Sequence, residues 1–343
     1  MTQTLQFGLD TFGDVTARDG EPLSHGQVLR DVVAEGVLAD EVGLDFFGVG
    51  EHHREDFAVS SPEMVLAAIA ARTTRIRLGS AVTVLSSDDP VRVYQRFSTL
   101  QGLSNGRAEV ILGRGSFTES FPLFGYPLDQ YETLFEEKLG LFSALLAGGP
   151  VTWQGTTRAP LSNQSVFPTP EAPPTTWIGV GGSPNSVVRA VQHDLPLMLA
   201  IIGGDPQRFR PYVDLYHRAC AQLGRNVRPI GVHSPGYVGE TDAGAREEFF
   251  ADYKRMRDRI GAERGWPPMT RQEFDREADH GSLYIGSPET VAKKIAATVR
   301  GLGLGRFQLK YSAGPLPHER LMRGIALYGT RVAPLVREML EVG

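Results

Sequence analysis

The chain has 343 residues, 41% of them apolar and 22% charged, and 35 basic against 40 acidic side chains give a formal net charge of -5. That balance argues against a nucleic-acid or anionic-lipid partner, and the length suits one α/β domain spanning 1–343 around a single core. The lone Cys220 excludes an internal disulfide and fits a reducing, cytoplasmic setting; no run approaches the roughly 18 apolar residues of a membrane span, and the N-terminal stretch lacks a leader pattern.

The first apolar run, LQFGLDT at 5–11, predicts a strand. In the following GQVLRDVVAEGVLADEVG, Val28, Leu29, Val32, Val33, Val37 and Leu38 recur at helical spacing. Further strands are predicted near 46–50, 76–84, 108–113, 176–181, 197–202, 230–237 and 306–311. Helical patterns fall near 62–74, 90–104, 129–147, 185–193, 206–222, 288–300 and 318–340. Five helix starts, Ser61-Pro62, Asp89-Pro90, Ser183-Pro184, Asp205-Pro206 and Ser287-Pro288, pair a capping residue with proline at the first helical position. Eight apolar strands alternating with amphipathic helices predict a parallel sheet closed into a (β/α)8 TIM barrel. Two insertions interrupt it. A proline-rich excursion at 150–175, before strand five, has the look of a hairpin; a charged stretch at 238–286, after strand seven, suits a lid, an oligomer contact or a linker.

In such a barrel the chemistry sits where strands run into helices. The second strand ends in FFGVGEHHREDF, 46–57, with His52 and His53 beside Glu51 and Arg54. Neighbouring strand residues point to opposite faces, so both rings cannot ligate one metal while the strand stays extended, and no HExxH is present. The pair is either rim polar residues bonded to backbone or an acid/base and positioning pair, oriented by Glu51 or Arg54. In WIGVGGSPNSVVRA, 177–190, Gly181 and Gly182 end a strand, and Ser183 to Ser186 open a helix whose N–H groups and hydroxyls could seat a phosphate. The same residues also make a tight turn with an N-cap. Arg114, between Gly113 and Gly115, can bind a phosphate or close a salt bridge on the rim. Phe117, Phe121 and Phe124 wall an apolar pocket or simply pack.

Taken in order, FFGVGEHHREDF, RIRLGSAVTVLSSDDPVRVYQRFSTLQGLSNGR, EVILGRGSF, IGVGGSPNSVVRA and GSPETVAKKI resemble the luciferase-like monooxygenase family of flavin-dependent enzymes, which includes the bacterial luciferase subunits. The resemblance runs through almost the whole chain. It implies a non-prolyl cis peptide at Ala81-Val82 against the flavin ring, flavin contacts at Gly113 and Arg114, and a phosphate cradle at Gly181, Gly182, Ser183 and Ser186. Ala200 and Ile201 fall where strand six approaches the ring, and His52 and His53 match the histidine pair lining the pocket. The light-emitting α subunits have a reactive cysteine at Gly113 and a tyrosine at Phe117, so bioluminescence is not expected. The implied activity is oxidation of a small organic substrate by reduced FMN and oxygen, with a separate flavin reductase, a homodimeric assembly and the 238–286 segment as lid. A reductase or dehydrogenase using a deazaflavin coenzyme or FMN, and a non-catalytic flavin-binding subunit, are the alternatives.

Overall fold

The computed structural model describes residues 4–341. Eight parallel strands close on themselves: β1 Gln6–Thr11, β2 Phe46–Val49, β3 Arg77–Ser80, β4 Ala108–Gly113, β5 Thr175–Val180, β6 Leu197–Ala200, β7 Ile230–Val238 and β8 Arg306–Lys310. Each pairs with its neighbour in chain order, β4 joining β5 and β8 returning to β1. This is the predicted (β/α)8 barrel.

Strand alternation divides the core in two. Phe7, Leu9, Phe47, Leu78, Leu112, Ile178, Leu199 and Phe307 face outward into the main cluster beneath the helices. Phe46, Ala81, Ile111, Trp177 and Met198 form a separate cluster inside the barrel, with Val82 against it. At the N-terminal end Arg306 donates to Glu109 at 2.6 Å, Trp177 Nε1 donates to the same carboxylate at 3.0 Å, and Gln6 accepts from Arg306 at 2.7 Å. That end is sealed by a buried, fully hydrogen-bonded ion pair.

The surrounding helices are α1 His25–Glu41, α2 Pro62–Ala70, α3 Pro90–Leu103, α4 Tyr131–Leu146, α5 Pro184–Gln192 and α6 Arg210–Gln222. After them come α7 Asp242–Arg264, α8 Arg271–His280, α9 Pro288–Leu302, α10 His318–Leu327 and α11 Ala333–Glu341. All five prolines open helices, α6 through a 3-10 turn at Pro206–Phe209. Asp89, Asp205 and Ser287 accept backbone N–H bonds as caps, whereas Ser61 and Ser183 make none. The segment at 76–84 is broken by the cis Ala81-Val82 peptide and resumes as Thr83–Val84. The excursion at 150–175 contains the antiparallel hairpin Val151–Trp153 with Leu161–Gln164.

The second insertion is ordered. It consists of α7, then α8 with a capping box between Thr270 and Glu273, and a short strand Tyr284–Gly286 that lengthens the sheet beside β7. Phe249 of α7 stacks on Tyr237 of β7 at 5.4 Å and joins the insertion to the barrel, while Tyr253 meets Phe274 of α8 at 6.1 Å within it. Among the described residues no helix is long and apolar enough to cross a membrane.

Candidate active site at the barrel mouth

β2 stops at Val49 because Gly50 passes under Phe12; a Cβ there would lie 2.5 Å from the Phe12 ring and 2.7 Å from the Ala81 carbonyl oxygen. His52 and His53 therefore sit beyond the strand, in irregular chain, and still diverge. The His52 N–H donates to Val59 O at 2.9 Å, and its ring lies among Phe12, Phe57 and Phe117 at 4.7, 4.5 and 4.6 Å. Its Nε2 is buried without a partner, and burial pulls its pKa down to about 3, so the ring is neutral. His53 turns toward Phe124, at 5.0 Å, and Glu51, whose Oε1 lies 3.6 Å from Nε2, too far for a hydrogen bond. Arg54 orients neither histidine: it donates to Asp56, Glu119 and Glu263. Among the described residues no His, Cys, Asp and Glu groups of metal-binding geometry occur.

Val82 projects inside the barrel, and the glycines opposite make room for it. A Cβ on Gly113 would lie 2.6 Å from Val82 Cγ2, and one on Gly179 would lie 3.3 Å from Val82 Cγ1. Ala200 shares this inner face with Met198, while Ile201 is packed in the outer core. Of that pair only Ala200 turns its side chain to the mouth.

At the far rim Tyr212 Oη donates to Gly182 O at 2.6 Å and holds the turn before α5, in which Gly182 has φ of +112°. Open space lies beside Gly181. The Ser186 hydroxyl is buried and accepts from Arg189 Nη1 at 3.3 Å. Arg189 also donates to Glu136 and Glu132, and Arg114 reaches Glu132 from β4 while lying 5.3 Å over the Tyr131 ring. Glu132 thus gathers two arginines beside the α5 N-terminus. Sequence reading missed Arg189, although its position three residues after Ser186 on one helix face was the available signal.

The end of α7 arches over this mouth. Glu263 accepts from Arg54 at 2.6 Å, Arg259 donates to Glu55 at 2.7 Å, and Arg264 donates to Ser116 O at 3.1 Å. The Phe117 ring carries Arg264 at 4.9 Å and Arg54 at 5.1 Å, above His52. A cleft of about 450 Å³ opens between Arg54, Phe117, Glu119, Glu263 and Arg264. Phe121 belongs to the packing against Tyr131, at 5.6 Å, so of the three phenylalanines only Phe117 and Phe124 touch the histidines.

A second histidine–carboxylate contact escaped sequence reading. His233 of β7 has Nδ1 2.9 Å from Oδ2 of Asp10 of β1, and Asp10 is fully buried. A carboxylate and an imidazole at inward positions of buried strands were the clue; their pairing required the closed barrel.

The family model for luciferase-like monooxygenases matches residues 9–306. The uncharacterized protein y4vJ of Sinorhizobium fredii is 24% identical over 340 residues, 95% of this chain and 97% of its own. Monooxygenase RslO1 of Streptomyces bottropensis superposes with a TM-score of 0.85 at 23% identity, covering 96% of this chain and 99% of that one. The oxygenating constituent of 3,6-diketocamphane monooxygenase from Pseudomonas putida, in complex with FMN, gives 0.78 at 19% identity, covering 97% and 99%. An F420-dependent secondary alcohol dehydrogenase with an F420-acetone adduct gives 0.74 at 17%, also covering 97% and 99%. These structural likenesses establish the fold, and the family match, which runs from β1 to β8, establishes more: the chain belongs to the luciferase-like monooxygenase family of flavin-dependent oxidoreductases.

Proposed function

We propose that the protein is an FMN-dependent monooxygenase that uses reduced flavin and oxygen to oxidise a small organic substrate at the barrel mouth. One observation carries this reading: an apolar floor of Val82 and Ala200 faces the same mouth as a helix N-terminus with two arginines beside it, roofed by α7. The residues present fit the cofactor. Open space at Gly181 admits a ligand close to backbone, the Ser183 hydroxyl is not used as a cap, and two guanidiniums face that rim. Ser183, the α5 N–H groups and Arg114 would hold the phosphate or ribityl chain, with Ser186 acting through Arg189. Gly113 and the Ala81-Val82 peptide would lie against the ring.

Bound reduced flavin supplies the electrons and the site of oxygen activation. The chain's own work is to orient and to exclude water. His52, held neutral among aromatic rings, positions substrate or exchanges a proton at Nε2, and His53 does so beside Glu51. Arg264 and Glu263 of α7 close the roof. A separate reductase would feed the flavin. The second reading, hydride transfer with a deazaflavin coenzyme, is favoured by the likeness to the F420-dependent alcohol dehydrogenase.

An anaerobic fluorescence titration with reduced FMN, oxidised FMN and the deazaflavin coenzyme separates the two. Preference for reduced FMN supports the monooxygenase, preference for deazaflavin moves the assignment to hydride transfer, and binding of none removes the flavin reading.

A further inference from the structure

Asp10 and His233 are not used by the reading above. Asp10 Oδ2 accepts from the imidazole at 2.9 Å, and its Oδ1 has no protein partner. A carboxylate only accepts, so the shared hydrogen belongs to Nδ1, and in the neutral ring the lone pair lies on Nε2. The contact joins two walls of the mouth. His233 is the register partner of Ala200, while a Cβ on Gly48 would lie 3.0 Å from Asp10 Cβ and 2.9 Å from Ala81 Cβ. The dyad therefore spans the interval between Ala81 and Ala200, the two flanks of the proposed flavin floor. Phe12 stacks on His233 at 6.1 Å and presents its edge to His52 at 4.7 Å, so both histidines border one aromatic ring.

We propose that Asp10 and His233 form a proton-transfer dyad for this pocket, with His233 Nε2 taking the proton of a hydroxyl-bearing organic substrate, an alcohol, enol or phenol. In that step the substrate O–H bond breaks, its electron pair stays on oxygen, and the new N–H makes an imidazolium that Asp10 neutralises; the proton returns to water at the end of the cycle. His52 Nε2 has no partner to neutralise an imidazolium, so of its two proposed roles the one left to it is to position substrate. Lys310, whose Nζ lies 4.8 Å over the Phe12 ring, is committed to Asp14 and the Ser312 carbonyl and leaves no free charge beside the dyad, which suits an uncharged substrate. His233 is the catalytic group and Asp10 a positioning residue. The assignment rests on the flavin reading of the same mouth.

The test is carbethoxylation by diethyl pyrocarbonate, which attacks accessible unprotonated imidazole nitrogen, followed by mass spectrometry of each histidine, alongside the flavin titration. His233 should react about tenfold faster than His52, and Asp10→Asn should slow it about tenfold by allowing the proton onto Nε2, with the fold intact by circular dichroism. Oxidised FMN or the deazaflavin coenzyme should protect His233. Equal rates at His233 and His52, or an unprotected His233 in protein that binds either flavin, overturns the dyad alone. Binding of neither flavin fells the functional reading and the dyad with it. Should Asp10→Asn not fold, the two-bond proton–nitrogen spectrum of the wild type decides, since His233 protonated on Nε2 is incompatible with the proposal.

Discussion

At Gly113 a methyl group would meet Val82 Cγ2 at 2.6 Å, so a side chain has no room here while Val82 keeps its place. Gly113→Ala should cost about 1–3 kcal/mol by overpacking, and Val82→Ala should return most of that loss in a double-mutant cycle read by denaturant melts. Two histidines give opposite pH signatures. Glu35 accepts a hydrogen bond from His318 and raises its pKa against the opposing effect of burial, so its stabilisation is full below the unfolded value and lost as pH rises through the folded one. His52, lowered to about 3, stabilises above the unfolded value and loses that contribution as pH falls, by at most about 1.4 kcal/mol per pH unit. Melts from about pH 4 to about pH 8 should show His318→Gln flattening the alkaline side and His52→Gln the acid side. Glu132→Gln should favour FMN over riboflavin, because the carboxylate on Arg114 and Arg189 competes with a phosphate; an unchanged ratio in paired titrations would separate this rim from the phosphate. His52, Val82 and Arg114 were legible in short motifs, whereas Arg189 and the Asp10–His233 contact depend on partners distant in the chain.

Among the elements, strands and helices were readable because apolar spacing and proline punctuation agree over each segment. Capping was less legible: Ser61 and Ser183 precede prolines as Asp89 and Ser287 do, yet their hydroxyls make no cap bond, since residue type does not fix where the chain enters the helix. The insertion was readable only as charge. Its placement depends on Arg54, whose guanidinium meets Asp56, Glu119 and Glu263 together. Arg54→Ala would leave three carboxylates facing one another, and the α7 end should then exchange amide hydrogens and be cleaved by protease faster, with little change in global melting. Rising salt should act in the same direction on the wild type, because Glu263 is half exposed and screening reaches it. Unchanged exchange across 259–266 in both conditions would show that the insertion is held by apolar contacts such as Phe249 on Tyr237 and not by Arg54.

For the whole molecule the alternation of eight strands and helices was sufficient to predict closure, since a parallel sheet with both faces covered has few other solutions. The plug was not predicted, because Arg306 and Glu109 are 197 positions apart and meet only when β8 and β4 face each other across the barrel. Glu109→Gln should cost about 3–5 kcal/mol by leaving Arg306 buried without its counter-charge, and Arg306→Met with Glu109→Leu should recover much of it. Equal melting of both variants would show that the pair's charge is immaterial.

With Arg306 and Glu109 stoppering one end and α7 arching over the other, the barrel is a vessel with a single neck. A guest resting on Ala81 and Val82 would have to enter before anything seated above it and could not leave until that later arrival had gone. Departure would then reverse the order of arrival, so a product retained beneath Arg264 would imprison the deeper guest, and the pace of the neck would govern both.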